Sequence, residues 1–385
     1  MKIAVLHDYF TQLGGAERVA EELYRLTPEA DLVSLVALAQ RTPASLSKAA
    51  IRTSWMQRMP GMEKYFRLYF LLYPFAARSL DLSKYDLVLS SSSGYAKGVR
   101  TGRDTLHVCY CHTPMRWAWS FDEYSARERM GIGQRIILPA FIAMLRDWDE
   151  FASCQPDHFI ANSRAVAARI ARVYGRAAEV IHPPVDVDRF RPSKDQGDYY
   201  LVLSRLVSYK RLDLAVQACT MLNRKLIVIG EGNCLRQLTE LAGPTVQFVG
   251  RLPDSDVEHL VARCKALIFP GEEDFGIAPL EVAAAGRPCI AYRAGGALET
   301  IVDGVTGVFF ERQTAEDLAH CIERFETWDW SPLALQSHAA AFRREVFQGR
   351  MRRFLERAGC QLPDAADQGS ALNVTLASEK DQICA

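Results

Sequence analysis

Short apolar runs recur along the chain and alternate with longer segments in which apolar residues return at helical spacing. In the first half the runs lie at residues 2–7, 31–36, 86–90, 106–111 and 158–161. Unbroken apolar runs belong to strands covered on both faces, and strands that alternate with helices build a parallel sheet. The pattern stops after Val180-Ile181, where His182-Pro-Pro-Val-Asp-Val-Asp-Arg-Phe-Arg-Pro192 leads into a polar stretch at 193–198. It restarts with runs at 200–204, 225–229, 246–249, 266–269, 289–292 and 307–310. The expected architecture is therefore α/β, with two doubly wound, Rossmann-like domains at 1–182 and 199–345 joined by a linker at 183–198. Residues 331–357 read as two helices, and the segment 346–362 is expected to pack back toward the first domain. Beyond it, 363–385 is polar and aperiodic and reads as a disordered tail.

Composition narrows the choice of partner. Lysine plus arginine and aspartate plus glutamate each total 46 in 385 residues, which gives no global field for nucleic acid, so any anion must be met locally. Ten cysteines without a C-x-x-C pair read as small core residues in a reducing compartment. The chain opens directly on a strand-like run, from which a cytosolic protein without a signal peptide is expected. No stretch approaches the ~20 apolar residues that span a bilayer. The nearest, 65–80, is broken by Arg67, Pro74 and Arg78. With Arg58 and Lys64 it leaves two readings open for residues 56–80: a basic amphipathic segment on an anionic membrane surface, or a core helix with an aromatic edge.

Doubly wound sheets bind ligands beyond the carboxyl ends of their strands, so the residues there carry the candidate chemistry. Arg205 follows the run 200–204, and Ser208 reads as the cap of a helix whose first turn holds Lys210 and Arg211. Cations there oppose the helix dipole by about 0.3–1 kcal/mol each, a penalty that a bound phosphate would reverse. Solvated side chains on an exposed turn are the plainer alternative. After 266–269 comes Pro270-Gly-Glu-Glu-Asp-Phe-Gly-Ile-Ala-Pro-Leu-Glu281. Glu273 falls in a loop, Gly276, Ile277 and Ala278 offer backbone N–H groups, and Glu281 faces inward one turn on. Carboxylates accept from sugar hydroxyls and exposed amides suit a phosphate, although a loop charge and a capping acid would look the same. Gly14 and Gly15 follow the first strand, where paired glycines either allow close approach to a ligand or simply make a turn. His112 ends the strand 106–111; a lone histidine there is commonly a satisfied structural group. Alternation along a strand separates Cys111 from His112, so Cys109-Tyr-Cys111-His112 is not read as a metal site. Gly230-Glu-Gly232 imitates a dinucleotide fingerprint but has Leu235 at the third glycine position.

Ser204-Arg-Leu-Val-Ser-Tyr-Lys210 together with Phe269-Pro-Gly-Glu-Glu-Asp-Phe-Gly-Ile-Ala-Pro-Leu-Glu281 resembles the signature of retaining glycosyltransferases of family 4, over roughly residues 1–358. That resemblance implies the GT-B fold, two Rossmann-like domains facing across a cleft. It implies that Arg205 and Lys210 hold the donor diphosphate, and that Glu273 with Phe275, Gly276, Ile277 and Ala278 contacts the hexose and distal phosphate. It gives Glu281 the ribose, sets Gly250 and Arg251 of Val249-Gly-Arg-Leu252 against the base, turns Gly14 and Gly15 toward the diphosphate, and has His112 contact the sugar. No metal and no other cofactor is expected. The run Tyr110-Cys-His-Thr-Pro-Met-Arg-Trp-Ala-Trp119 is similar to that of bacterial mannosyltransferases of polysaccharide assembly, which implies GDP-mannose as donor, with UDP-glucose or another UDP-hexose second. The implied acceptor is a saccharide, lipid-linked on polyprenyl diphosphate or soluble, met in the cytoplasm or at the inner face of the cytoplasmic membrane; no nucleic acid is implied. A sugar-nucleotide epimerase of the same architecture and a silent sugar-nucleotide-binding subunit remain as alternatives, and a dehydrogenase is the weakest.

Overall fold

The computed structural model describes residues 1–121 and 132–362. The tail expected at 363–385 lies outside them. Seven strands form the first sheet: β1 (Ile3–Phe10), β2 (Asp31–Ala37), β3 (Ile51–Thr53), β4 (Leu87–Ser92), β5 (Leu106–Cys111), β6 (His158–Ala161) and β7 (Ala178–Val180). Six form the second: β8 (Tyr200–Leu203), β9 (Leu226–Ile229), β10 (Val246–Gly250), β11 (Leu267–Phe269), β12 (Cys289–Tyr292) and β13 (Gly307–Phe310). The orders are β3-β2-β1-β4-β5-β6-β7 and β10-β9-β8-β11-β12-β13, and every ladder is parallel. Strand order reverses between β1 and β4 and again between β8 and β11. A crevice opens at such points because consecutive crossovers leave to opposite sides.

The apolar runs are continuous because each sheet is buried on both faces. In the second sheet Leu201, Leu267, Ala291 and Phe309 enter one core, while their neighbours Val202, Ile268, Ile290 and Val308 enter the other. β3 and β7 are short edge strands carrying Arg52 and Glu179, and edges of this polar kind give little apolar signal. Both sheets belong to one compact unit, residues 1–347. The nine described cysteines are free thiols, and Cys109 and Cys111 are packed among Phe159, Val166 and Ile170. Among the described residues no helix is long and apolar enough to cross a membrane.

Local signals fix the helices that carry the candidate groups. The helix Gly15–Leu26 buries Val19, Ala20, Leu23 and Leu26 on one stripe. Ser163 caps the helix Arg164–Tyr174 by accepting from the Val166 N–H, and Gly175 closes it at φ 63°. Ser208 does not act as the expected cap. Residues Ser208–Lys210 make a single 3₁₀ turn, and the helix begins at Leu212 behind Arg211, whose φ is +51°. Lys210 is thus lifted off the helix toward the β11 loop, which Gly271 lets approach: a Cβ there would lie 2.8 Å from the Lys210 backbone.

Candidate functional site at the switch points

The loops after β1, β4, β8 and β11 converge. From the second sheet, Lys210 forms an ion pair with Glu273, both largely buried. Arg205 is exposed and reaches across to the first sheet, donating to Gln12 Oε1 at 3.1 Å and to the Tyr209 hydroxyl at 3.3 Å. The β11 loop is held close by glycines of the next turn. The Gly296 N–H donates to the Glu273 carbonyl at 2.8 Å, and a Cβ on Gly296 would stand 2.2 Å from Phe275 Cα. Gly276, at φ +90°, precedes the helix Ile277–Ala284, and no side chain caps that helix. Gly15 lies against this start, since a Cβ on it would meet Ile277 Cδ1 at 2.7 Å. Gly14 is the N-cap of the first helix.

Glu281 is buried, and its Oε1 accepts from Arg18 Nη1 at 2.6 Å, across from the helix Gly15–Leu26. Glu281 holds the Arg18 guanidinium above its ordinary value, against the opposing effect of burial. A ribose hydroxyl at Glu281 would have to share that carboxylate with Arg18. Gly250 ends β10, the edge strand two places from β8, and its carbonyl accepts from the Gly230 N–H at 2.8 Å, while Arg251 beyond it is exposed. The Gly230-Glu-Gly232 turn is a packing device. A Cβ on Gly230 would lie 1.9 Å from the Ser204 carbonyl oxygen and one on Gly232 2.1 Å from that of Leu206. These glycines press the β9 turn onto the β8 turn that presents Arg205.

On the first sheet His112 is buried, and burial, then the neighbouring His7, push its pKa down to about 3 against the pull of Asp274. The ring is therefore neutral near pH 7. Its Nε2 lies 2.8 Å from Ser91 Oγ, which is also 3.0 Å from His7 Nδ1, so one hydroxyl donates to one ring and accepts from the other. Asp8, buried near the carboxyl end of β1, accepts from the N–H groups of Ser93 (2.6 Å), Tyr95 (2.9 Å) and Ala96 (2.6 Å). That fixes the turn after β4 beside the glycine loop.

Several of these groups escaped the sequence reading. Asp274, adjacent to Glu273, pairs with Arg116 at 2.7 Å and Arg169 at 2.5 Å. Burial would raise its pKa, but the two guanidinium groups hold it below the ordinary carboxylate value. Arg116 and Asp274 both sit inside quoted motifs, and Arg18 closes the run that holds Gly14 and Gly15, so their nearness to named candidates was a usable signal; Arg169 and Ser91 carried none. Among the described residues no group of three His, Cys, Asp or Glu side chains is placed to hold a metal ion. The arrangement offers cations and helix amides to a phosphate, and carboxylate and neutral imidazole to hydroxyls.

Both halves of the chain resemble known proteins. The profile of Glycosyltransferase Family 4 matches residues 13–189, and that of Glycosyl transferases group 1 matches 186–340. A GDP-mannose-dependent alpha-(1-6)-phosphatidylinositol monomannoside mannosyltransferase of Mycolicibacterium smegmatis is 33% identical over 177 residues, covering 38% of this chain and 46% of that enzyme. A glycogen synthase of Xanthomonas campestris pv. campestris is 31% identical over 159 residues, covering 38% of this chain and 33% of that enzyme. The matches thus span half or less of these curated relatives. Among solved structures, Anabaena HepE in complex with UDP and glucose superposes with a TM-score of 0.68 over 92% of this chain and 99% of that one, at 17% identity. Sucrose-phosphate synthase from Thermosynechococcus elongatus gives 0.68 over 93% and 99%, at 15% identity. The fold is GT-B, the two family profiles between them take in residues 13–340, and the chain belongs to the glycosyltransferases of family 4.

Proposed function

We propose that this chain transfers a hexose, with retention at the anomeric carbon, from a nucleoside diphosphate sugar to an acceptor hydroxyl held between the two sheets. The observation that carries this reading is the meeting of Arg205, Lys210 and Glu273 at one switch point with His112 and the paired glycines of the other. Departure of the diphosphate builds negative charge, which Arg205, Lys210 and the uncapped start of the helix Ile277–Ala284 are placed to stabilise. Retention requires attack from the face the diphosphate leaves, so a departing phosphate oxygen takes the acceptor's proton. Glu273 and neutral His112 then bind and orient the sugar, and no protein base is assigned. No metal is required, so transfer is expected to survive chelation by EDTA.

Mannose from GDP-mannose is the donor favoured by the Tyr110 to Trp119 motif, and the mannosyltransferase relatives support it. The glycogen synthase relative and the UDP and glucose bound by HepE favour UDP-glucose as the second reading. A lipid-linked acceptor at the inner membrane face fits the exposed Tyr65, Leu68 and Phe75, which lie beside Lys64 and Arg67 in sequence. Equal sedimentation with and without anionic liposomes would count against it. A thermal-shift and transfer screen over GDP-mannose, UDP-glucose and related donors tests the whole reading, since a ligand stabilises with the logarithm of its occupancy. Donor consumed without any acceptor would point to an epimerase, and binding without turnover to a silent subunit. Glu273→Ala should lower kcat about 100-fold with little change in melting temperature; wild-type turnover would sink its assignment.

A further inference from the structure

We infer that Asp274 is a positioning residue that locks the Glu273 loop of the second sheet onto the His112 segment of the first. The inference rests on the function proposed above and adds the group that sets the closed geometry. Asp274 leaves the β11 loop and is gripped only from the other side in the contacts that define it. Arg116, four residues beyond His112, and Arg169, on the helix after β6, both pair with its Oδ1, at 2.7 and 2.5 Å. Arg169 also donates to Thr113 Oγ1 at 2.7 Å, next to His112, and Ser163 Oγ donates to the Asp274 carbonyl at 2.5 Å. Side chain and backbone of one residue are thus anchored in the opposite half. Its neighbour Glu273 meets Lys210 within its own half.

None of these residues belongs to the apolar cores that fold either sheet. The contact therefore joins the halves through polar groups, with Ser163 also capping its own helix. Two guanidinium groups against one carboxylate leave one positive charge in excess. Arg116 carries it toward the donor side, its Cζ 4.8 Å from the centre of the Tyr209 ring whose hydroxyl accepts from Arg205. A hexose held by Glu273 and His112 together needs both at a fixed separation, and an error of about 1 Å costs on the order of 100-fold in rate.

The test compares the full chain with Asp274→Asn and Asp274→Glu. Three readouts are needed: kcat and KM with GDP-mannose or UDP-glucose, GDP or UDP affinity by titration, and small-angle scattering without ligand. Asp274→Asn should lose roughly 30- to 100-fold in kcat, keep its nucleotide affinity within about threefold, expand in radius of gyration, and melt close to wild type. Asp274→Glu should recover part of the rate. Unchanged kcat with unchanged scattering in Asp274→Asn overturns the inference, as does a loss of rate that follows a large drop in melting temperature and is not recovered by Glu. If the wild type transfers no hexose from any donor tried, the function proposed above fails. The scattering comparison then decides the lock by itself: expansion supports it and an unchanged radius refutes it.

Discussion

Replacing Lys97 by methionine should destabilise the first half far more than a surface lysine would. The Lys97 and Asp149 side chains are 1% and 0% exposed and meet at 2.5 Å. Lys97 also donates to the Gly94 carbonyl at 2.5 Å, while Asp149 takes further bonds from Trp119 Nε1 (2.8 Å) and the Tyr174 hydroxyl (2.6 Å). Methionine matches the lysine stem but leaves a buried carboxylate with two neutral donors. Breaking a buried pair from one side in this way costs about 3–5 kcal/mol. The double variant Lys97→Met with Asp149→Asn removes the stranded charge while its amide oxygen still accepts from Trp119 and Tyr174, so it should recover roughly half of that loss. Urea unfolding followed by tryptophan emission measures both. Burial pulls the Lys97 pKa down, but Asp149 and its neighbours outweigh burial and hold it above the ordinary lysine value. Its contribution is therefore complete below that ordinary value and is lost only as pH rises through the folded one, so the cost should be flat from about pH 6 to 9. A loss below about 1 kcal/mol, or a double variant no more stable than the single, would refute the argument. The turn held by Asp8 contains Gly94, so the same variant should also disturb the site.

Acid should act through histidines. Burial lowers His107 to about 4 and His112 to about 3, both below the unfolded value, so the unfolded chain binds more protons below about pH 6.5. Stability should fall by roughly 1.4 kcal/mol per pH unit for each of them down to those values, read from urea midpoints between pH 7 and 4.5; a flat profile would contradict their burial as neutral rings. Gly230→Ala, with φ +137° and a Cβ 1.9 Å from a carbonyl oxygen, should cost about 3 kcal/mol or more, whereas Gly250→Ala, at φ +67° with open space, should cost only about 1. Similar losses in the two would contradict the packing role of the Gly230 turn. Arg18→Ala should cost about 1–3 kcal/mol, because it leaves the buried Glu281 carboxylate without its cation, yet tighten GDP or UDP binding by freeing Glu281; weaker binding would place Arg18 on the donor itself.

The apolar runs alone marked eleven of the thirteen strands, since strands covered on both faces are largely apolar. β3 and β7 are three-residue edge strands with Arg52 and Glu179 at their centres, too short and too polar to leave such a mark. The sequence likewise placed Arg205, Glu273 and His112 beyond strand ends, because the order of runs and turns puts them there. It misjudged Ser208, since a capping side chain is readable but the left-handed Arg211 that ends the turn, beside the Lys210 backbone that Gly271 approaches, is not. What only the tertiary structure decided is who meets whom across the halves. Arg18 and Glu281 are 263 positions apart, and Arg169 and Asp274 are 105. No periodicity reaches over such distances, because charged side chains find their partners through how two sheets are set against each other, and that placement is written in no single segment.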